Sequence, residues 1–316
     1  KGDFVKVPFG SSLVTGVVWD YFEETNKNFK IKAVEKVLEV PRMKNSMIKF
    51  VNWFSLYNLV PLGMSLRLVL FNKTAVEKIA NENFDQFKSL GVAKKYLLNL
   101  EQKKCLEEIS NKNINFKVHV IDGVTGSGKT LVYFSRIKEL IDKGYQALIM
   151  LPEIGLTSQF QKRFLDFFNF EPAIWHSNVT KKNKRIIWRG VVENKIKAVV
   201  GARSSLFLPF KKLGIIIVDE EHDASYKQDE GVSYNARDMA IARASLENIP
   251  IILVTSIPSI ETYNNIITKK YHVTKLEKRY KEAPLPKFEI VNLNSEIIKK
   301  GSWIANKTID KVNKYL

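Results

Sequence analysis

One eight-residue segment constrains the fold of this chain more than any other part of the sequence. Residues 123–130, GVTGSGKT, match the pattern G-x-x-x-x-G-K-[ST] at every fixed position. Residues 117–122, KVHVID, before the segment predict a strand, and the spacing of residues 129–142 after it predicts a helix. A phosphate-binding loop has this context, between a buried strand and a helix N-terminus. The segment therefore predicts a P-loop α/β fold.

The loop also predicts a ligand, because each of its residue types has a task at a polyphosphate. Lys129 places a positive charge near the β- and γ-phosphates, and the Thr130 hydroxyl is suited to Mg²⁺. We therefore expect ATP and Mg²⁺ as cofactors. The alternative is a Gly/Ser-rich turn that matches by chance, and the flanking strand and helix argue against it. The residues expected to bring backbone N–H groups to the phosphates are Gly123, Gly126, Ser127 and Gly128.

An acidic segment lies downstream of the loop and follows a second apolar run. Residues 213–218, LGIIIV, predict a buried parallel strand, which delivers Asp219 and Glu220 to its carboxyl end. We expect Asp219 to hold Mg²⁺ through its water shell and Glu220 to orient the attacking water. A simple nucleotide kinase needs only the first acid. Two acids followed by Glu221 and His222 indicate a helicase-type motor, with His222 in the catalytic set; the alternative is a solvated acidic loop.

Composition restricts the partners and the compartment. The 316 residues carry 50 Lys and Arg against 33 Asp and Glu, a net charge of +17 that favours a polyanionic partner. A generally basic, Lys-rich proteome is the alternative explanation. No apolar run approaches the ~20 residues of a membrane span, so we expect no membrane partner. The single cysteine, Cys105, excludes disulfides within the chain and any Cys-rich zinc site, which is consistent with a cytoplasmic location.

The pattern along the chain changes near residue 100. Residues 4–9, 13–19 and 30–38 predict three short strands, and residues 46–59 predict a helix with a buried stripe. After residue 101, strands and helices alternate, which predicts a parallel sheet with helices on both faces. We interpret the chain as a fragment at both ends, because it begins without Met and stops inside a helical pattern. The predicted divisions are 1–71, a β-rich module; 72–98, a linker or small subdomain; 99–281, a RecA-like lobe; and 282–316, the start of a further domain.

Longer runs of sequence add a resemblance to a known family. The runs that carry it are 123–130, LPEIGLT at 151–157, GARSSLFLPF at 201–210, DEEHDASYKQ at 219–228, YNARD at 234–238, and VPFG at 7–10 with IKAV at 31–34. The chain is similar to the PriA family of bacterial replication-restart helicases in superfamily 2, and the resemblance covers nearly all of it. It implies that residues 1–71 are a domain that captures the 3′ end of a nascent strand, with Gly10 and Lys32 among its DNA-binding residues. It also implies a reduced winged helix in 72–98 and the start of a second motor lobe in 282–316.

The resemblance assigns further residues to the two ligands. Gln102 is expected at the adenine, where an amide can both donate and accept. Residues 153–157 and 201–204 are expected to hold the backbone of a single strand, with Arg203 and Ser204 in contact. An aromatic-rich loop, residues 223–237, is expected to couple DNA contact to ATP hydrolysis. Its DNA-binding residues are expected to be Tyr226, Lys227, Tyr234 and Arg237.

Two positions depart from the family's pattern. The motif Gly-Ser-Ala-Thr-Pro is VTSIP at 254–258, so Ile257 replaces a hydroxyl residue and puts the coupling of hydrolysis to strand movement in doubt. The usual tryptophan of the aromatic-rich loop is Val232. The second motor lobe, its arginine finger and the family's zinc-binding cysteines are not in this sequence, so zinc is expected only in the missing C-terminal part.

The resemblance implies an ATP-dependent 3′-to-5′ DNA helicase that recognises stalled or abandoned forks and starts primosome assembly, with the DNA-binding part and the first motor lobe in this chain. Its expected partners are forked and single-stranded DNA and, by resemblance, a single-strand DNA-binding protein and primosome-loading proteins at the nucleoid. The 316 residues alone are expected to bind ATP without unwinding DNA. The alternatives are a fork-DNA-binding, ATP-binding remnant without helicase activity, and a P-loop translocase with another polynucleotide substrate.

Overall fold

A computed structural model describes residues 1–20, 31–70, 76, 83–88, 96–110, 114–152, 155, 157–279, 288–295 and 303–315. Two compact units divide the chain, residues 1–279 and residues 280–316. Most of the predicted region 72–98 lies outside the described residues. The described part of that region includes a single 3₁₀ turn at Asp85–Phe87.

The chain begins with a small antiparallel sheet in the order β2-β1-β3. Strand β1 is Phe4–Phe9, β2 is Ser12–Val17 and β3 is Lys36–Val37. Gly10 closes the β1–β2 hairpin at φ +60°, a left-handed conformation that favours glycine. The strand predicted over 30–38 is shorter than expected. Only two residues pair with β1, flanked by a backbone hydrogen bond from Glu35 N to Lys6 O at 2.9 Å.

Two helices follow the small sheet. Helix α1, Asn45–Tyr57, confirms the helix predicted over 46–59, and α2, Leu62–Leu70, packs beside it. The buried side chains of α1 recur every three or four residues, as a one-sided apolar stripe requires. They are Met47, Ile48, Phe50, Val51, Phe54 and Ser55.

The remaining strands form one large parallel sheet and one short hairpin. The sheet has the order β12-β4-β11-β8-β5-β7-β6, and β9 and β10 pair separately. Each neighbouring pair in the large sheet is parallel, which confirms the fold class predicted from the alternating pattern. The bounds are β4 Lys117–Gly123, β5 Gln146–Met150, β6 Ala173–Trp175, β7 Ala198–Gly201, β8 Leu213–Asp219, β9 Lys227–Gln228, β10 Tyr234–Asn235, β11 Pro250–Thr255 and β12 His272–Leu276.

The sheet separates two hydrophobic cores, because successive side chains of a strand point to opposite faces. In β8, Ile216 and Val218 lie in one core, and Ile215 and Ile217 lie in the other. The first core receives α1, α6 and α7, and the second receives α4 and α5, so helices cover both faces. The bounds are α3 Leu100–Ile109, α4 Lys129–Asp142, α5 Ser158–Phe168, α6 Lys181–Val192, α7 Ala236–Glu247 and α8 Ile260–Ile267.

The N-terminal module shares the first of these cores. Phe54 of α1 lies 5.0 Å from Phe207 and 5.4 Å from Tyr234, measured between ring centroids. Phe4 of β1 meets Trp188 of α6 edge-on at 5.5 Å, and the Trp188 indole N–H donates to the Val69 carbonyl at 2.9 Å. Residues 1–70 and the parallel sheet are therefore packed as one body within the unit 1–279.

The second unit includes one described helix, α9, Asn306–Tyr315. It lies within the helical pattern in which the sequence stops. Lys307 and Lys311 of this helix pair with Glu289. Among the described residues, no helix combines the length and the apolar character that crossing a bilayer requires.

Candidate functional site

The phosphate-binding loop occupies the predicted place between β4 and α4. Gly126 and Gly128 have φ values of +84° and +83°, in the left-handed region where a side chain is strained. A Cβ at Gly128 would also lie 2.3 Å from Gln102 Nε2. Helix α4 begins at Lys129, so its unpaired first N–H groups lie at this loop. Both glycines are therefore required by the backbone that forms an anion site.

Two polar side chains of the loop are suited to a phosphate. Lys129 Nζ donates to the Gly123 carbonyl at 2.5 Å, and its side chain is buried. Burial lowers the pKa of Lys129, and the nearby Glu220, Asp219 and Asp122 carboxylates oppose that shift. The Ser127 hydroxyl is buried and has no hydrogen-bond partner among the described residues. An orphaned hydroxyl, a cation and free helix N–H groups fit a nucleoside triphosphate.

Gln102 supports this loop from α3. Its side chain is fully buried, and Nε2 donates to the Ser127 carbonyl at 2.9 Å. Its Oε1 accepts from Asn99 N–H at 3.0 Å, which completes a capping box at the start of α3. Both the NH₂ group and the carbonyl oxygen of the Gln102 side chain are therefore hydrogen-bonded to backbone atoms. The predicted adenine contact stays a prediction.

Asp219, at the end of β8, lies beside the loop as predicted. Its Oδ2 accepts from the Tyr133 phenol at 2.8 Å, and its Oδ1 accepts from Glu220 N–H at 3.0 Å. Burial raises the pKa of Asp219 to about 6, against the effect of the Tyr133 hydrogen bond. The Thr130 side chain is near the same phenol, where it opposes the rise that burial causes in the pKa of Tyr133. Thr130 and Asp219 therefore share one neighbour, and they are the residues that would hold Mg²⁺.

Glu220 and His222 form the exposed side of the acidic segment. Glu220 has a φ of +47°, an uncommon conformation for a residue with a Cβ, and its side chain is 44% exposed. His222 Nδ1 lies 3.7 Å from Glu220 Oε2 and 2.8 Å from Thr255 Oγ1. The turn thus presents Glu220 to solvent while His222 connects it to the end of β11. The sequence did not predict Thr255 as a residue of this site.

Glu221, the third acid of the segment, is buried and anchors the turn. Its Oε2 accepts from Arg237 at 3.1 Å and from Thr262 at 2.9 Å, and its Oε1 accepts from Ser259 N–H at 2.8 Å. Its own N–H donates to the Val254 carbonyl at 3.0 Å. The sequence reasoning missed this role. The available signal was a third carboxylate directly after a buried strand, where a charged group needs a partner.

The aromatic side chains of the aromatic-rich loop lie inside the protein. Tyr226 is buried, with its hydroxyl 2.6 Å from the Asp219 carbonyl and 2.9 Å from that of Met150. Tyr234 is buried in the cluster with Phe54, and Val232 is buried too. These rings therefore present no stacking surface in this structure.

The cations of this region have different environments. Arg237 is buried on Glu221, whereas Lys227 is exposed and pairs with Asp229 at 3.3 Å. Arg203 donates to the Lys227 carbonyl at 2.6 Å, which connects the 203–207 turn to β9. Ser204 is exposed and accepts from the Trp175 indole at 3.2 Å. DNA contacts by these residues stay predictions.

The predicted 3′-end residues lie together on the small sheet. Lys32 is exposed, and its Nζ reaches the Gly10 carbonyl at 3.5 Å, at the tip of the β1–β2 hairpin.

Of the predicted strand-gripping loop 153–157, residues 153, 154 and 156 lie outside the described residues. Among the described residues, no group of three or more His, Cys, Asp or Glu side chains could hold a metal ion.

Family models match the two parts of this architecture separately. A model described as DEAD/DEAH box helicase matches residues 99–266, which is more than half of the chain. A model described as 3′DNA-binding domain (3′BD) of PriA matches residues 1–70. Together with the P-loop and the acidic segment, these matches define a DEAD/DEAH box helicase domain preceded by a 3′DNA-binding domain.

Curated relatives show to which family within this class the chain belongs. A replication restart protein PriA from Rickettsia conorii is 41% identical over 317 residues, covering 98% of this chain and 47% of that protein. The same protein from Haemophilus influenzae is 41% identical over 186 residues, 59% of this chain and 26% of that protein. The solved Hef helicase domain of Pyrococcus furiosus covers 58% of this chain and 39% of its own, at 18% identity and a TM-score of 0.43. The chain belongs to the PriA family, and it spans about half the length of the Rickettsia relatives.

Proposed function

We propose that this chain is the DNA-binding and first motor part of an ATP-dependent 3′-to-5′ DNA helicase. The observation that carries the proposal is the position of Lys129, Asp219 and Glu220 around one glycine loop whose backbone is shaped for phosphate. Bound Mg²⁺ would neutralise phosphate charge and order the reacting groups. Lys129 would bind the phosphates, Thr130 and Asp219 would hold the ion, and Glu220 would orient water.

The proposed substrate is forked DNA with an accessible 3′ end. Support comes from the match of residues 1–70 to a 3′DNA-binding domain and from the net charge of +17. The relatives are called replication restart proteins, which supports action at stalled or abandoned forks and the start of primosome assembly. By family resemblance we also propose a single-strand DNA-binding protein and primosome-loading proteins as partners at the nucleoid.

A second candidate is a module that binds ATP and fork DNA without acting as a motor. Ile257 favours it, because this position lacks the family's hydroxyl and its side chain is 71% exposed. Hydrolysis in motors of this class takes place between two lobes, and the structure describes one P-loop sheet. We therefore expect the 316 residues alone to bind ATP and DNA, with slow turnover and no strand separation.

Calorimetric titration with Mg-ATP tests the proposal. Lys129→Ala should abolish binding without unfolding the chain, because it removes the phosphate-facing cation. Lys138→Ala is the matched control, since Lys138 lies on the same helix and is paired with Asp142 at the surface. Undiminished Mg-ATP affinity of Lys129→Ala would show that the loop is not the nucleotide site. Unwinding assays on a longer chain that includes a second lobe would then separate the motor from the binding module.

A further inference from the structure

Tyr133 is a polar residue inside helix α4 that the motifs do not include. Its side chain is fully buried, and its ring packs edge-on against Phe134 at 5.2 Å. It follows Lys129 by four residues and Thr130 by three, so the three side chains share one face of the helix. That face is directed at the end of β8. The P-loop helix therefore carries a third polar group toward the acidic segment.

The Tyr133 hydroxyl is bonded to Asp219, one of the two residues that would hold the cation. It donates to Asp219 Oδ2 at 2.8 Å, and the other residue, Thr130, lies one helical turn before it on α4. A phenylalanine would fill the same core space without requiring a partner for a buried hydroxyl. The hydroxyl is therefore not needed for packing, and its geometry points to the acidic segment.

Asp219 is consequently fixed at three points. Tyr133 holds Oδ2, the Glu220 N–H holds Oδ1, and the Tyr226 hydroxyl lies 2.6 Å from the backbone carbonyl. A carboxylate with a donor on each oxygen cannot rotate freely about its χ2 bond. Residues that orient metal ligands in this way commonly contribute 10- to 100-fold, as an order of magnitude, to metal affinity.

We propose that Tyr133 is a positioning residue for the divalent cation that accompanies the nucleotide. By donating to Asp219 Oδ2 it holds the carboxylate in the orientation that receives the hydrated ion. The inference rests on the proposed function, since it concerns the Mg²⁺ of the same site. Tyr133 acts through Asp219 and does not touch the nucleotide.

The test measures ATP binding to the full 316-residue chain by calorimetry. The titration is repeated at a series of Mg²⁺ concentrations and in EDTA. For Tyr133→Phe we expect the Mg²⁺ concentration at half-maximal enhancement of ATP binding to rise roughly tenfold. The affinity for Mg²⁺-free ATP should stay within about twofold, because the loop is intact. Tyr145→Phe, outside the site, is the matched control and should behave as the parent chain.

The outcomes separate this inference from the proposed function. An unshifted Mg²⁺ dependence in folded Tyr133→Phe, with the parent binding ATP, overturns the positioning role alone. Absence of ATP binding by the parent chain, with and without Mg²⁺, overturns the proposed function and this inference together. If Tyr133→Phe does not fold, replacement of Tyr133 by 4-aminophenylalanine retains a donor at the same place. That variant should keep the parent's Mg²⁺ dependence, and a tenfold shift in it would contradict the proposal.

Discussion

The Nδ1 atom of His222 lies 2.8 Å from the Oγ1 atom of Thr255, which joins the acidic segment after β8 to the end of β11. The same hydroxyl accepts from Ile257 N–H at 3.1 Å. The hydroxyl that reaches the acidic segment in this chain therefore belongs to residue 255. The isoleucine at 257, where the family has a hydroxyl residue, does not remove this contact.

Thr255→Val should lower the free energy of unfolding by about 1–3 kcal/mol, because it leaves the Ile257 N–H and the His222 ring without their partner. Urea unfolding of the chain measures the change. Ile257→Thr is the control at an exposed position and should stay within about 0.5 kcal/mol of the parent. Equal effects of the two substitutions would contradict the assignment of the contact to Thr255.

Arg237→Met should destabilise the chain by about 3–5 kcal/mol, because it leaves the buried Glu221 carboxylate unpaired. Thermal unfolding reports this loss, and Asp238→Asn, which changes a partly exposed partner of the same arginine, is the milder control. A variant that melts like the parent but binds single-stranded DNA more weakly would instead support the DNA contact predicted for Arg237.

The features that the sequence predicted well are formed by residues close together in the chain. The strand, loop and helix around residues 117–142 follow from apolar periodicity and from a motif whose residues are contiguous. Tyr133 and Thr255 were missed because each acts through a partner distant in sequence, and no local pattern distinguishes them from core or surface residues. Glu221 carried a local signal, its place directly after a buried strand, but its partner Arg237 is distant in sequence. The third strand was predicted to be longer than it is, because a solvated edge strand lacks the apolar alternation that would locate its ends.

Phe54→Ala should cost about 3–5 kcal/mol, because it empties the aromatic cluster formed with Phe207 and Tyr234. Since that cluster joins residues 1–70 to the lobe, tryptophan fluorescence and far-UV circular dichroism should show coincident unfolding in denaturant for unit 1–279. Leu56→Ala, on the exposed side of the same helix, should have little effect. Two separate transitions in the parent chain would show that the N-terminal module unfolds independently.

Acid should destabilise the chain through His119. Burial, followed by the charges of Lys117 and His272, lowers the pKa of His119 from its ordinary value of 6.5 to about 4. Between these values the unfolded chain binds a proton that the folded chain does not, so stability falls as pH falls from 6.5 to 4, by about 3 kcal/mol in total.

His119→Gln should remove that part of the pH dependence, because glutamine does not titrate there and its amide can still bond to Thr274. Urea unfolding at pH 7, 5.5 and 4.5 measures the effect. His176→Gln, on the loop after β6, is the control for the loss of one histidine. A parallel fall in stability for parent and His119→Gln would contradict the assignment.

Charge reversal at the hairpin tip should distinguish recognition of a 3′ end from general attraction to phosphate. Lys32 and Lys36 are both exposed on the N-terminal module, and Lys32 alone of these two reaches the Gly10 carbonyl. Lys32→Glu and Lys36→Glu change the net charge equally, so each should weaken non-specific binding and reduce the salt slope by about one unit if it contacts a phosphate. In fluorescence anisotropy, Lys32→Glu should lose affinity for a fork with a free 3′-hydroxyl more than for one with a 3′-phosphate. Lys36→Glu should affect the two forks alike. If the two variants behave identically on both forks, the module attracts DNA by charge alone and Lys32 does not belong to a 3′-end site.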